Sequence, residues 1–100
     1  MGPMENIKRV EIIIPQPELE TVLLLLEKAQ VEGYTVIEKA RGKGQRGIQD
    51  ARGLTDAFSN ALIIWYCRPA DFEALEEDLR RVLNEAGGVC GMSEAQWIAH

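Results

Sequence analysis

The run Ala61-Leu62-Ile63-Ile64-Trp65-Tyr66-Cys67 constrains the fold more than any other stretch of the chain. It shows no polar alternation. An extended segment of this kind needs cover on both faces, so it predicts a central strand. Lys8 to Ile14 read as a first strand, with β-branched Val10, Ile12, Ile13 and Ile14, and Pro15 ends it. Tyr34 to Lys39 read as a second strand, and Val89 to Ile98 as a less regular last one. Between the first two, Leu19, Val22, Leu23 and Leu26 recur at helical spacing, with Leu24 and Leu25 broadening the apolar face. Pro17 suits the first turn of that helix. A second helix is expected from Pro69, with Phe72, Leu75, Leu79, Val82 and Leu83 as its stripe, Arg80 and Arg81 near its negative end, and Gly87 as its cap.

The order β-α-β-β-α-β predicts an α+β, ferredoxin-like sandwich: a four-stranded antiparallel sheet with two helices on one face. The other face is then bare. It would show residues from Ile12 to Ile14 and half of Ala61 to Cys67, more apolar surface than a soluble monomer exposes. The expectation is an oligomer whose subunits pack their sheet faces together.

The 100 residues suit one domain with one modest core, and 46 % are hydrophobic and 27 % charged. Residues 1–3 read as an expression scar and 4–100 as the single domain, with Met4 as the native start and no leader, which points to the cytoplasm. Net charge is −5, which argues against general nucleic-acid binding. No apolar run reaches membrane-spanning length. His100 is the only histidine, so a histidine-based triad is not expected. Glu76-Glu77-Asp78 read as a solvated helix face, Cys67 reads as a small core residue, and no spacing suggests a metal site. An enzyme is not the expectation.

Against this acidic background, Arg41 to Asn60 form a long loop whose start is cationic. Lys39, Arg41, Lys43 and Arg46 alternate with Gly42, Gly44 and Gly47, with no acid between Lys39 and Arg46. Glycines admit close approach of backbone to a ligand, consecutive N–H groups can cradle an anion, and Arg adds a fork that fits phosphate. The loop is therefore expected to bind a small anion, foremost a nucleotide phosphate. Gly42-x-Gly44-x-x-Gly47 matches a dinucleotide fingerprint only formally, because no helix pattern opens at the last glycine. A second glycine-rich turn, Glu85 to Gly91, contains Gly87-Gly88. A neighbouring subunit can bring it beside the first loop.

These segments resemble the PII signal-transduction superfamily. Gly33-Tyr34-Thr35-Val36 looks like the start of its second strand, Gly42-Lys43-Gly44-Gln45-Arg46 like the nucleotide-contacting base of its T-loop (41–60), and Gly87-Gly88 like its B-loop (85–91). With Ser59-Asn60 and Glu94-Ala95, the likeness is greatest to the PII-like proteins associated with bicarbonate transporters and carboxysomes. The resemblance implies a homotrimer with AMP or ADP in its inter-subunit clefts. It also implies bicarbonate near Lys43, Arg46 or Arg52, and a T-loop that reports to a protein target such as a bicarbonate transporter, regulating carbon uptake or fixation. Carried over by position, Thr35, Gly42, Gly44, Arg46, Gly87 and Gly88 are the expected ligand-site residues, followed by Arg41, Lys43 and Gln45. No tyrosine lies between Arg41 and Asn60, and no Arg-x-Arg pair follows Trp97. That pattern suits AMP or ADP better than a triphosphate with 2-oxoglutarate. The alternatives are a structural, copper-tolerance type trimer and a small acylphosphatase-like enzyme using Arg46 with Asn60.

Overall fold

The computed structural model describes residues 3–42 and 59–99. Strands β1 (Met4–Pro15), β2 (Thr35–Ala40), β3 (Asn60–Cys67) and β4 (Val89–Ile98) form one antiparallel sheet in the order β2-β3-β1-β4. Helix α1 (Leu19–Lys28) follows β1 through a 3-10 turn at Gln16–Glu18, and α2 (Pro69–Ala86) joins β3 to β4. This is the ferredoxin-like α+β sandwich that the element order predicts.

The apolar run of β3 lies inside the sheet, between β2 and β1. Its alternate residues Ala61, Ile63, Trp65 and Cys67 are buried together with Val10, Ile12 and Ile14 of β1, and Leu19, Val22, Leu26, Leu75 and Leu79 of the helices close over them. Burying each large aliphatic side chain contributes about 1.5–3 kcal/mol, so this layer supplies the main driving force for folding. Pro69 opens α2, and Gly87 ends it in the left-handed region at φ 87°, where its N–H donates to the Leu83 carbonyl at 2.8 Å. A glycine makes that turn without the penalty a Cβ would bring.

Several details differ from the sequence reading, among them β2, which runs Thr35–Ala40 rather than Tyr34 to Lys39. β1 starts at Met4 rather than Lys8, because Met4 to Ile7 pair with Ala95 to Ile98 of β4. Leu24 is 58 % exposed and does not broaden the buried face of α1; its angular position carries it past the stripe of Leu19, Val22 and Leu26. Arg80 and Arg81 lie short of the last turn of α2, which holds no basic residue. They pair instead with Glu76, Glu77 and Asp78 at 2.7–2.8 Å across single helical turns. Of Ile12, Ile13 and Ile14, only Ile13 is on the bare face, because strand side chains alternate.

That bare face is ordered by the register. Ile37, Leu62, Ile13 and Val89 are successive cross-strand partners and form an apolar row through all four strands. Ile13, Ile37 and Val89 are 39 %, 47 % and 59 % exposed. Towards the other end of the face, the rings of Tyr66 and Trp97 approach to 5.8 Å from opposite sides of β1. Ile7 lies between their register positions and is buried beneath them.

Candidate functional site

One end of the sheet carries Arg41-Gly42 and Gly87-Gly88, while Thr35 lies further along β2. Ala40 of β2 and Pro15 of β1 both pair with Asn60 of β3, and Ile13 pairs with Val89 of β4. Arg41 and Gly42 therefore leave the sheet at the same end at which Gly87-Gly88 enters it. They lie on opposite edges, however, because β3 and β1 stand between β2 and β4. Three inter-strand spacings put about 14 Å between the two edges. Within one chain the described ends of the two segments, Arg41–Gly42 and Gly87–Gly88, stand apart.

Arg41 and Gly42 are exposed at this end. A Cβ built on Gly42 would meet nothing within 4 Å, and its φ is not positive. Among the described residues nothing requires glycine there; Gly33 and Gly91 share that openness. Gly87 and Gly88 differ in this respect. Gly87 is the helix cap, and a Cβ on Gly88 would stand 2.6 Å from the Ile13 carbonyl oxygen and 3.0 Å from Leu83 Cδ2. Both glycines have a complete reason within the fold. Thr35 is exposed and opens β2, paired with Ile64. Arg41 is six positions further on, at most about 20 Å of strand. A ligand touching both must run along the β2 edge. Lys43, Gly44, Gln45, Arg46 and Arg52 lie outside the described residues, and so does most of the loop 41–60.

The stem of that loop contains a cluster the sequence did not single out. β2 pairs regularly up to Ile37 with Leu62, then resumes at Ala40 with Asn60. Glu38 and Lys39 thus stand opposite Ala61 alone, a bulge in the edge strand. Lys39 sits at φ 60°. The Gln16 side chain meets both bulged residues: Oε1 accepts from the Lys39 backbone N–H at 3.0 Å, and Nε2 donates to Glu38 Oε1 at 2.9 Å. The Gln16 backbone N–H donates to the Ser59 carbonyl at 2.8 Å. A Gln set between two prolines, directly after a β-branched run, was the available signal.

Other candidates are quiet. Cys67 and Cys90 are free thiols. Burial pushes the Cys67 thiol up from 9.0 to about 11, with Asp71 and Cys90 adding to it, and burial raises Cys90 as well. Neither is a ready nucleophile at neutral pH. Among the described residues, no group of three or more His, Cys, Asp or Glu could hold a metal ion. No helix described is long and apolar enough to cross a membrane.

The sheet order β2-β3-β1-β4 with two helices defines the class as a ferredoxin-like α+β fold. Residues 7–99 match the family described as nitrogen regulatory protein P-II, and the chain belongs to that family, whose members are regulatory rather than enzymatic. Among solved structures, it is similar to CPII, a nitrogen regulatory PII-like protein from Thiomonas intermedia K12. One CPII structure, bound to ADP, AMP and bicarbonate, has a TM-score of 0.82 at 22 % identity, covering 99 % of this chain and 94 % of that one. Another, bound to ADP and bicarbonate, has a TM-score of 0.82 at 24 % identity, covering 99 % and 95 %. A PII-like signalling protein from Thermus thermophilus has a TM-score of 0.75 at 16 % identity, covering 98 % and 94 %. No curated protein matches the sequence.

Proposed function

We propose that this protein is a homotrimeric PII-like regulator. It binds AMP or ADP, together with bicarbonate, in clefts between subunits, and it reports their state through the loop 41–60 to a protein target in inorganic-carbon uptake or assimilation. One observation carries the reading: the register sets Arg41–Gly42 and Gly87–Gly88 at the same sheet end but on opposite edges. A rotational assembly of a P-II family chain, with bare sheet faces inward, pairs one edge of each subunit with the other edge of its neighbour. The apolar row Ile37-Leu62-Ile13-Val89 is then covered. The ligands of CPII support adenine nucleotide and bicarbonate as the ligands here.

In this reading Gly42 and Gly44 let backbone N–H groups approach the phosphates, while Arg46, Arg41 and Lys43 supply charge. Thr35 adds a polar contact along the β2 edge, and Gln45 is a further polar candidate. Gly87–Gly88 of the neighbouring subunit presents its turn from the other side of the cleft. Bicarbonate, a small planar anion, suits the fork of Arg46 or Arg52, or the Lys43 ammonium. The ligand orders the loop, and the partner's response is no larger than the difference in ligand affinity between the two loop states. The setting is cytoplasmic, with any membrane contact made through the target, such as a bicarbonate transporter.

Calorimetric titration with AMP, ADP and ATP, with and without bicarbonate, tests the proposal. Binding of AMP or ADP is expected in the micromolar range, about −8 kcal/mol. Arg46→Ala should weaken it by about 1.5–3 kcal/mol, the cost of losing a charged hydrogen-bond partner. Absence of adenylate binding by the wild-type protein, or an unaltered affinity in Arg46→Ala, would contradict the respective assignment.

A further inference from the structure

We propose that Gln16 is a positioning residue for the anion site: its side chain holds the bulge at Glu38–Lys39 and thereby sets which way Arg41 and Gly42 leave the sheet. The inference rests on the nucleotide reading given above and names a residue that acts through the loop stem rather than on the ligand.

The bulge needs holding. Lys39 occupies the left-handed region at φ 60°, where a Cβ is strained. The extra residue is also left without a place in the ladder, so its N–H needs another acceptor. Gln16 Oε1 is that acceptor, at 3.0 Å from the Lys39 nitrogen. The other end of the same amide donates to Glu38 Oε1 at 2.9 Å, so both functional ends of the side chain are engaged. No hydrocarbon side chain at 16 can replace either contact. A glutamate can accept from Lys39 but sets a second carboxylate against Glu38.

Gln16 is itself well placed. Pro15 precedes it and Pro17 follows it, which restricts the backbone that presents the amide. Its own N–H is bonded to the Ser59 carbonyl at 2.8 Å. One residue of the β1–α1 corner therefore ties down both stems of the loop, the strand that leaves at Ala40 and the strand that returns at Ser59.

The consequence is directional. With the bulge, Ala40 pairs with Asn60. If the bulge closed, Ala40 would move opposite Ser59 and every side chain after Lys39 would change faces. Arg41 would then project from the other side of the sheet edge, and the glycine backbone that follows would turn with it. Gln16 thus selects the register in which Arg41 leaves the sheet.

The test uses the full-length protein, with ADP as the probe and hydrogen exchange at the Lys39 amide as an independent readout. Gln16→Ala should weaken ADP binding by about tenfold and speed exchange at Lys39, with the assembly state retained. Gln16→Glu should lose less. Adding Lys39→Gly to Gln16→Ala should recover most of the affinity, because glycine adopts the bulge conformation without a clamp; a purely structural loss would not be rescued this way. Unchanged affinity in Gln16→Ala, unchanged exchange at Lys39, or failure of Lys39→Gly to rescue would each overturn the proposal. If the wild-type protein binds no ADP, the nucleotide reading fails on its own terms. Lys39 exchange in Gln16→Ala then still decides whether the side chain holds the bulge.

Discussion

Gly88 and Gly42 look alike in the sequence and differ in the fold. A Cβ on Gly88 would press to 2.6 Å on the Ile13 backbone carbonyl, and backbone in a paired strand has little room to give. Gly88→Ala should cost about 1–3 kcal/mol in denaturant unfolding, the usual range for overpacking. Gly42→Ala should leave stability unchanged or slightly raised while weakening ADP binding, since no described residue needs that space and the proposed ligand does. Equal effects of the two substitutions on stability would contradict this division. Cys67 offers a pH test. Its thiol rises from 9.0 to about 11 in the fold, chiefly through burial. The unfolded chain releases that proton near 9 and the folded chain only near 11. Stability is therefore intact below pH 9 and declines as pH rises towards 11, and thiol reagents should label Cys67 only on unfolding. The core role of Cys67 was legible from its place in an apolar run. The packing role of Gly88 was not, because its neighbour Ile13 comes from the first strand and no local pattern links them.

At the level of elements, β3 was the most legible because it cannot be solvated on either face. Ile63→Ala, at 0 % exposure in the centre of the layer, should destabilise by about 2–5 kcal/mol in the same unfolding assay. Loss of under about 1 kcal/mol would mean the core is centred elsewhere. The helices were legible through their stripes and caps, with Leu24 as the exception, since a run of four leucines blurs the period that distinguishes inside from outside. The bulge in β2 was hidden. A register shift is decided by partners on β3 and by the amide of Gln16, and neither is local to Glu38 and Lys39. Of the candidate site, Arg41, Gly42, Gly87 and Gly88 were named from the sequence and lie at one sheet end. Gln16, proposed to hold the strand leading to Arg41, comes from another corner of the fold and had no local signal tying it to them.

At the level of the whole molecule, the proposed assembly rests on the bare face. Ile37, Leu62, Ile13 and Val89 cross all four strands in one row, and no element of the described chain covers them. Ile13→Asp should therefore dissociate the trimer, read as a drop in mass by light scattering, and should abolish nucleotide binding although Ile13 lies outside the ligand set. A monomeric variant that still binds ADP would contradict a cleft shared between subunits. The most direct measurement is a crystal structure of the protein with ADP. The account predicts a trimer in which the phosphates lie between the Arg41–Arg46 segment of one subunit and Gly87–Gly88 of the next. Nucleotide bound within a single chain, or far from both segments, would contradict it.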